Sequence, residues 1–160
     1  MEPSDLTDAL VERLRLLPKR VQNPRVRLTI KGKHQEKNFD VSAVGGDETF
    51  ALFIRQSILI PESFTAGLAL VQPGGARLIL VRYNGADHEH HNPIEGERFS
   101  HVFHIHTATE RYAQLSRRVE KYAVETTRFT SVVSALKCLA EDWSITPVPD
   151  LGDLHSPSLI

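Results

Sequence analysis

Residues 49–83 read TFALFIRQSILIPESFTAGLALVQPGGARLILVRY, and the fold turns on how this stretch divides. Thr49–Ser57 is a short apolar and aromatic run ending in polar residues, the pattern of a well-buried strand. Pro61, Gly67 and Pro73-Gly74-Gly75 punctuate the residues after it, with a short strand around Gly67–Val71. Ala76–Tyr83 has the strongest strand pattern in the chain, and Gly74-Gly75 before it suits a hairpin turn. Consecutive strands joined by turns this short favour antiparallel pairing.

Toward the N-terminus the period changes twice. In RVRLTIK, Val26, Leu28 and Ile30 alternate with Arg25, Arg27, Thr29 and Lys31, which predicts a half-buried strand. Gly32–Gln35 predicts a turn into a second strand near Asn38–Val44, and Gly45-Gly46-Asp47 the next reversal. Before Pro18, Leu6, Leu10, Leu14 and Leu17 fall on one helical stripe, with Ser4 read as the N-cap.

Toward the C-terminus, Asn84–Ser100 is polar and turn-rich and reads as a loop, after which His101–His106 resumes alternation. Two amphipathic helices close the pattern. One spans about Thr109–Val124, with Tyr112, Leu115, Val119 and Tyr122 on its apolar side, and the other about Ser131–Trp143. The sequence therefore predicts a single α+β domain over residues 1–144, with a curved antiparallel sheet of about five or six strands, one N-terminal helix and two C-terminal helices. Residues 145–160, proline-rich and aperiodic, read as an extended or mobile tail.

The 160 residues suffice for one self-supporting core, and 41% apolar with 24% charged is ordinary for a globular protein. Acidic residues at the N-terminus, the absence of any apolar run of membrane-spanning length and a lone cysteine, Cys138, all point to a cytoplasmic protein without membrane contact. Net charge is −1, yet residues 13–33 hold eight basic side chains and no acid. Arg25, Arg27, Lys31 and Lys33 of this block are the candidate contacts to RNA phosphates, and a solvated face is the alternative.

Six of the eight histidines lie between His88 and His106, just after Arg82-Tyr83. Histidine both exchanges protons near neutrality and ligates metals. On the strand, His104 and His106 share one face with Val102, while Phe103 and Ile105 share the other with His101. Two chemistries suit the cluster. In a metal-free scheme, His88 and His106 are an acid–base pair on a ribose 2′-hydroxyl and a leaving oxygen. His104 orients, Arg82 holds phosphate and Tyr83 positions the nucleotide. In the other scheme, His88, His90, His104 and His106 bind a divalent transition metal such as zinc, with Asp87 or Glu95 completing a site open to water. His88-Glu89-His90 with Glu95 matches the middle of the first cupin metal motif, but the flanking glycines and a second motif are missing. His34 and His155, in turn-like and tail-like segments, read as incidental.

The run Arg82-Tyr83-Asn84-Gly85-Ala86-Asp87-His88, followed by Phe99-Ser100-His101 and His104-Ile105-His106, resembles the arginine-tyrosine, histidine and late paired-histidine pattern of TumE-type toxins. Those are small bacterial proteins paired with the DNA-binding antitoxin TumA and regarded as RNA-cleaving growth inhibitors. The stretch from His106-Thr107-Ala108-Thr109-Glu110 through Thr127-Arg128-Phe129 is similar to an uncharacterised bacterial and archaeal family that shares an Ile-His-x-Ala-Thr-Glu sequence. The resemblance implies a ribonuclease-like toxin or defence component acting on RNA, with an antitoxin partner and no cofactor. A metal-dependent hydrolase and a non-catalytic partner-binding protein (an antitoxin or adaptor) are the alternatives, and a homo-oligomer is compatible with all three.

Overall fold

A computed structural model describes residues 1–115 and 118–154. After a 3-10 turn at Pro3–Asp5 come α1 (Asp8–Leu16), β1 (Lys19–Val21), β2 (Thr29–Lys31), β3 (His34–Ala43), β4 (Thr49–Ser57), β5 (Phe64–Val71) and β6 (Arg77–Asn84). The chain continues through β7 (Glu89–Asn92), β8 (Glu97–Ser100), β9 (His104–Thr107), α2 (Glu110–Leu115), β10 (Ala123–Glu125), α3 (Val132–Asp142) and β11 (Ile145–Thr146). The architecture is α+β. The main sheet has nine strands in the order β10-β9-β6-β5-β4-β3-β1-β11, with β2 also on β3, and β7–β8 form a separate hairpin. All pairings are antiparallel except β1 with β11.

The long strands form where the sequence alternates. On β3, Gln35, Lys37, Phe39, Val41 and Ala43 are buried while the residues between are less so. α3 presents Val132, Ala135, Leu136, Leu139 and Ala140 to the core, a helical i, i+3, i+4, i+7, i+8 stripe. Ser131 caps its start, accepting from the Ser134 N–H. Trp143, Tyr83 and Phe129 pack at the end of α3, and the Tyr83 hydroxyl donates to the Asp142 carboxylate, which Arg128 also holds with two 2.8 Å bonds. No helix among the described residues is long and apolar enough to cross a membrane.

Several local expectations are corrected. The N-cap of α1 is Thr7, whose hydroxyl accepts from the Leu10 N–H, rather than Ser4. The expected strand Arg25–Lys31 is regular only over Thr29–Lys31, which pairs with β3 at the side of the sheet and leaves Ile30 61% exposed. The expected loop at Asn84–Ser100 contains the β7–β8 hairpin. The expected helix over Thr109–Val124 is two elements. α2 ends at Leu115, which is exposed, and Ala123–Glu125 pairs with β9 instead. Ser116 and Arg117, inside that expected helix, lie outside the described residues, as does His155. In the C-terminal segment, Ile145–Thr146 adds a parallel strand to β1, Leu151 is buried and Asp153 pairs with buried Lys37 at 2.5 Å.

Candidate metal centre

Register places the site. Across the sheet, Glu36, Arg55, Thr65, Asn84, His104 and Glu125 are successive partners on β3, β4, β5, β6, β9 and β10. The neighbouring row on the same face is Asn38, Phe53, Gly67, Arg82, His106 and Ala123. Directly opposed side chains have Cβ atoms about 4.5–5.5 Å apart. Arg82 with His106 and Asn84 with His104 therefore make one four-residue patch. Tyr83, one residue from Arg82, points to the opposite face and lines a pocket with Ile105, Asp142 and Trp143.

The hairpin closes over this patch. Gly85 lets the chain leave β6, because a Cβ there would fall 1.7 Å from the Glu62 carbonyl oxygen. The hairpin base is joined by the His101 N–H donating to the His88 carbonyl at 3.2 Å. Its position is set by Asn92, which is fully buried. The Asn92 amide donates to the Ala123 carbonyl at 2.7 Å and accepts from the Ala123 N–H at 2.9 Å, so one side chain pairs with β10 as a strand would. Near the turn, the Ile94 N–H donates to the Tyr112 hydroxyl, which in turn donates to Glu95. His90, two residues before Asn92, is thereby laid on His104 with ring centroids 5.5 Å apart and edge-on to His106 at 4.5 Å. His104 and His106 are 4.9 Å apart.

The hydrogen bonds fix which ring nitrogen carries the proton. His104 Nδ1 faces the Val102 carbonyl at 2.8 Å and His106 Nδ1 the Lys121 carbonyl at 3.2 Å. A carbonyl only accepts, so both Nδ1 atoms are N–H and both Nε2 atoms keep a lone pair. His90 Nε2 donates to Asn92 Oδ1 at 3.0 Å, leaving its Nδ1 lone pair. Buried His104 Nε2 has no hydrogen-bond partner among the described residues. Burial also holds all three rings neutral. It lowers His90, takes His104 down to about 4 and His106 to about 2, with the Arg82 charge adding to each.

One ring nitrogen from each of His90, His104 and His106 lies within 4.8 Å of the others. Three atoms so spaced share a point within about 2.8 Å of all of them, so ring shifts of ~0.7 Å would reach the ~2.0–2.1 Å bonds of a histidine–zinc site. Neutral imidazoles whose second nitrogens are anchored to carbonyl or amide oxygens are the arrangement that metal-binding histidines adopt.

Other expected residues sit elsewhere. His88 lies beside the triad, edge-on to His104 at 5.8 Å, but is outside the group and mostly exposed, with Nδ1 on Asp87 at 2.9 Å. Asp87 is thus engaged with His88, and Glu95 with Arg111 and Tyr112, so neither carboxylate completes the triad. Arg82 pairs with buried Glu120 at 3.1 Å. His101, expected on the core side, is exposed, because its left-handed backbone (φ 55°) precedes the strand. Arg25, Arg27, Lys31 and Lys33 are exposed on or near β2, beyond β3 and five strand positions from β9; Lys31 pairs with Glu36. Asn92 and Glu120 have no place among the residues the sequence singles out. The alternation of His90 and Asn92 against Glu89 and His91 is the one signal that points to Asn92.

No family model, curated protein or solved structure matches the chain.

The burial of neutral histidines makes a pH prediction. The unfolded chain protonates them at about 6.5, and the folded pKa values are depressed. Their stabilising contribution is therefore complete above pH 6.5 and is lost as pH falls toward 4 for His104 and toward 2 for His106. Urea unfolding of the metal-free protein at pH 7.5 and pH 5 should show a loss of about 2 kcal/mol for each of His104 and His106. Equal stability at the two values would contradict the buried neutral state.

Proposed function

We propose that the chain is a metal-dependent hydrolase whose His90, His104 and His106 hold one transition-metal ion, zinc being the closest fit to three imidazoles. The observation that carries this reading is the convergence of one ring nitrogen from each of three neutral histidines, with His104 Nε2 buried and unpartnered among the described residues. Three protein ligands leave a tetrahedral ion one position for water or substrate. The chemistry the metal would supply is Lewis-acid activation at that position. The protein's own part is to orient the rings, exclude bulk water with the hairpin and set Arg82 beside His106.

Metal-free RNA cleavage, the toxin-like reading, is supported by His88, a solvent-facing imidazole whose Nδ1 lies 2.9 Å from the Asp87 carboxylate. It needs a second proton-exchanging group, and His104 and His106 serve poorly because burial holds them neutral. Tyr83 faces away from that chemistry, bound to Asp142. The metal reading has the stronger support.

Elemental analysis of protein purified without a histidine tag and dialysed against trace zinc tests the proposal. About one zinc per chain is expected, and none retained would overturn it. Asn92→Ala should weaken zinc binding roughly 10- to 100-fold, since it frees both the hairpin and the His90 ring. Competition with a chelating dye measures this, and unchanged affinity would show that Asn92 does not position the ligand.

A further inference from the structure

Beside the triad, two more buried polar atoms have no partner among the described residues: Arg82 Nε and Asn84 Oδ1. Asn84 is 3% exposed. The two residues stand at i and i+2 on β6, on the face that carries His106 and His104 directly opposite them. Three unpartnered buried atoms, one of them a donor and two of them acceptors, therefore adjoin on a single patch. Buried polar groups are otherwise almost always paired, so such a group of exceptions points to a ligand.

The surroundings define what that ligand is. Arg82 donates to Glu120 through one terminal nitrogen, which offsets its charge but leaves its Nε–H unused. Three neutral imidazoles leave the charge of a divalent ion uncompensated, so the patch as a whole attracts an anion. Gly67, opposite Arg82, has its side-chain space taken by the Phe53 ring, which would lie 2.2 Å from a Cβ there. Phe53 thus lies across β5 as an apolar wall. Thr65, opposite Asn84, lines a surface groove of about 290 Å³ with Arg55, Ser63, Asp87 and His88.

Resting on the metal reading above, we propose that Arg82 and Asn84 form the anion-recognition half of the site and that its substrate is a phosphate monoester, bound as its singly protonated monoanion. An anionic oxygen accepts from Arg82 Nε–H, and a protonated oxygen donates to Asn84 Oδ1, while the ester's remaining group lies in the groove. A proton-bearing oxyanion satisfies both orphan atoms. A fully deprotonated one such as sulfate leaves Asn84 Oδ1 facing an acceptor, which discriminates against it.

Calorimetric titration of the zinc-loaded, untagged protein with inorganic phosphate and with sulfate tests this. Phosphate should bind about tenfold or more tightly than sulfate. Arg82→Lys keeps a cation beside Glu120 but lacks the Nε–H, and should weaken phosphate by about tenfold with zinc content unchanged. Asn84→Leu, close in shape, should bring phosphate and sulfate within roughly threefold of each other. Equal binding of the two anions by the native protein, or phosphate affinity unmoved in both variants, would overturn the proposal. Titration of the zinc-free protein separates this from the metal reading. Phosphate binding that depends on Arg82 and Asn84 there supports the anion site even in a chain that retains no zinc.

Discussion

His104→Leu is expected to abolish zinc binding while leaving the zinc-free protein about as stable as before. The substitution removes one ligand of three, and a site reduced to two imidazoles loses most of its affinity. In the zinc-free chain the balance differs. Leucine gives up the Nδ1–H bond to the Val102 carbonyl, worth about 1 kcal/mol, but also removes a buried, unpartnered Nε2 that costs about 1–3 kcal/mol. The net change should be within about 1 kcal/mol. With free zinc at a thousand times the dissociation constant, the native protein should gain about 4 kcal/mol and the variant nothing. Thermal unfolding with and without zinc reads both quantities. Equal zinc-induced stabilisation of native and variant chains would remove His104 from the ligand set.

The largest loss of stability is expected from Lys19→Met. Lys19 is 1% exposed, yet its ammonium is not paired with an acid among the described residues. It donates instead to the carbonyls of Leu14, Leu17 at 2.8 Å and Trp143 at 2.7 Å, with Arg15 at 3.3 Å. These are carbonyls at the C-terminal end of α1 and just beyond α3, where a helix has no internal donors left. One cation thus satisfies two helix ends and meets the negative pole of each dipole. Its stem packs by Phe50 and Trp143, whose ring centroids lie 5.2 and 5.6 Å from Nζ. Burial lowers its pKa to about 8, so it remains largely charged at neutrality. Methionine keeps the volume and leaves several buried carbonyls without donors, at about 1–3 kcal/mol each. Urea denaturation should show a loss of roughly 3–5 kcal/mol, and a loss under about 1 kcal/mol would contradict this role.

Lys19 also illustrates what a sequence conceals. Read in line, it is one of eight basic residues in a run without acids, and solvation or phosphate binding is the natural inference. Its burial depends on Ser144, whose carbonyl accepts the Lys19 N–H, and on Trp143, both far along the chain. Strand β1 is hidden for the same reason, since three residues are too few to show a period. Where a strand is long and one face is buried, alternation suffices. Thr49–Ser57 and Arg77–Asn84 fall where the pattern puts them, to within a residue. Strand β2 shows the converse: Val26 of the alternating run packs on the core, but Thr29–Lys31, the part that forms a strand, is exposed throughout. The stripe through Tyr112, Leu115, Val119 and Tyr122 misleads because its apolar positions are divided between α2 and the segment leading to β10.

The site is legible in its residue types and faces. The same alternation that groups His104 with His106 places Arg82 and Tyr83 on opposite faces, so the two could not serve one site. Depth is not legible. His104 and His106 are covered by a hairpin held by Asn92, and that hairpin alternates histidine and asparagine rather than apolar residues. A pattern search tuned to hydrophobicity passes over it.

The metal reading stands or falls with His90, His104 and His106 being ligands of one ion. X-ray absorption at the zinc edge, on untagged protein loaded with one equivalent of zinc, reads that coordination shell. Three imidazole nitrogens at ~2.0–2.1 Å with an oxygen in the fourth position are expected, with loss of the imidazole scattering in His104→Leu. An all-oxygen shell, or an imidazole signal that persists unchanged in that variant, would contradict the reading.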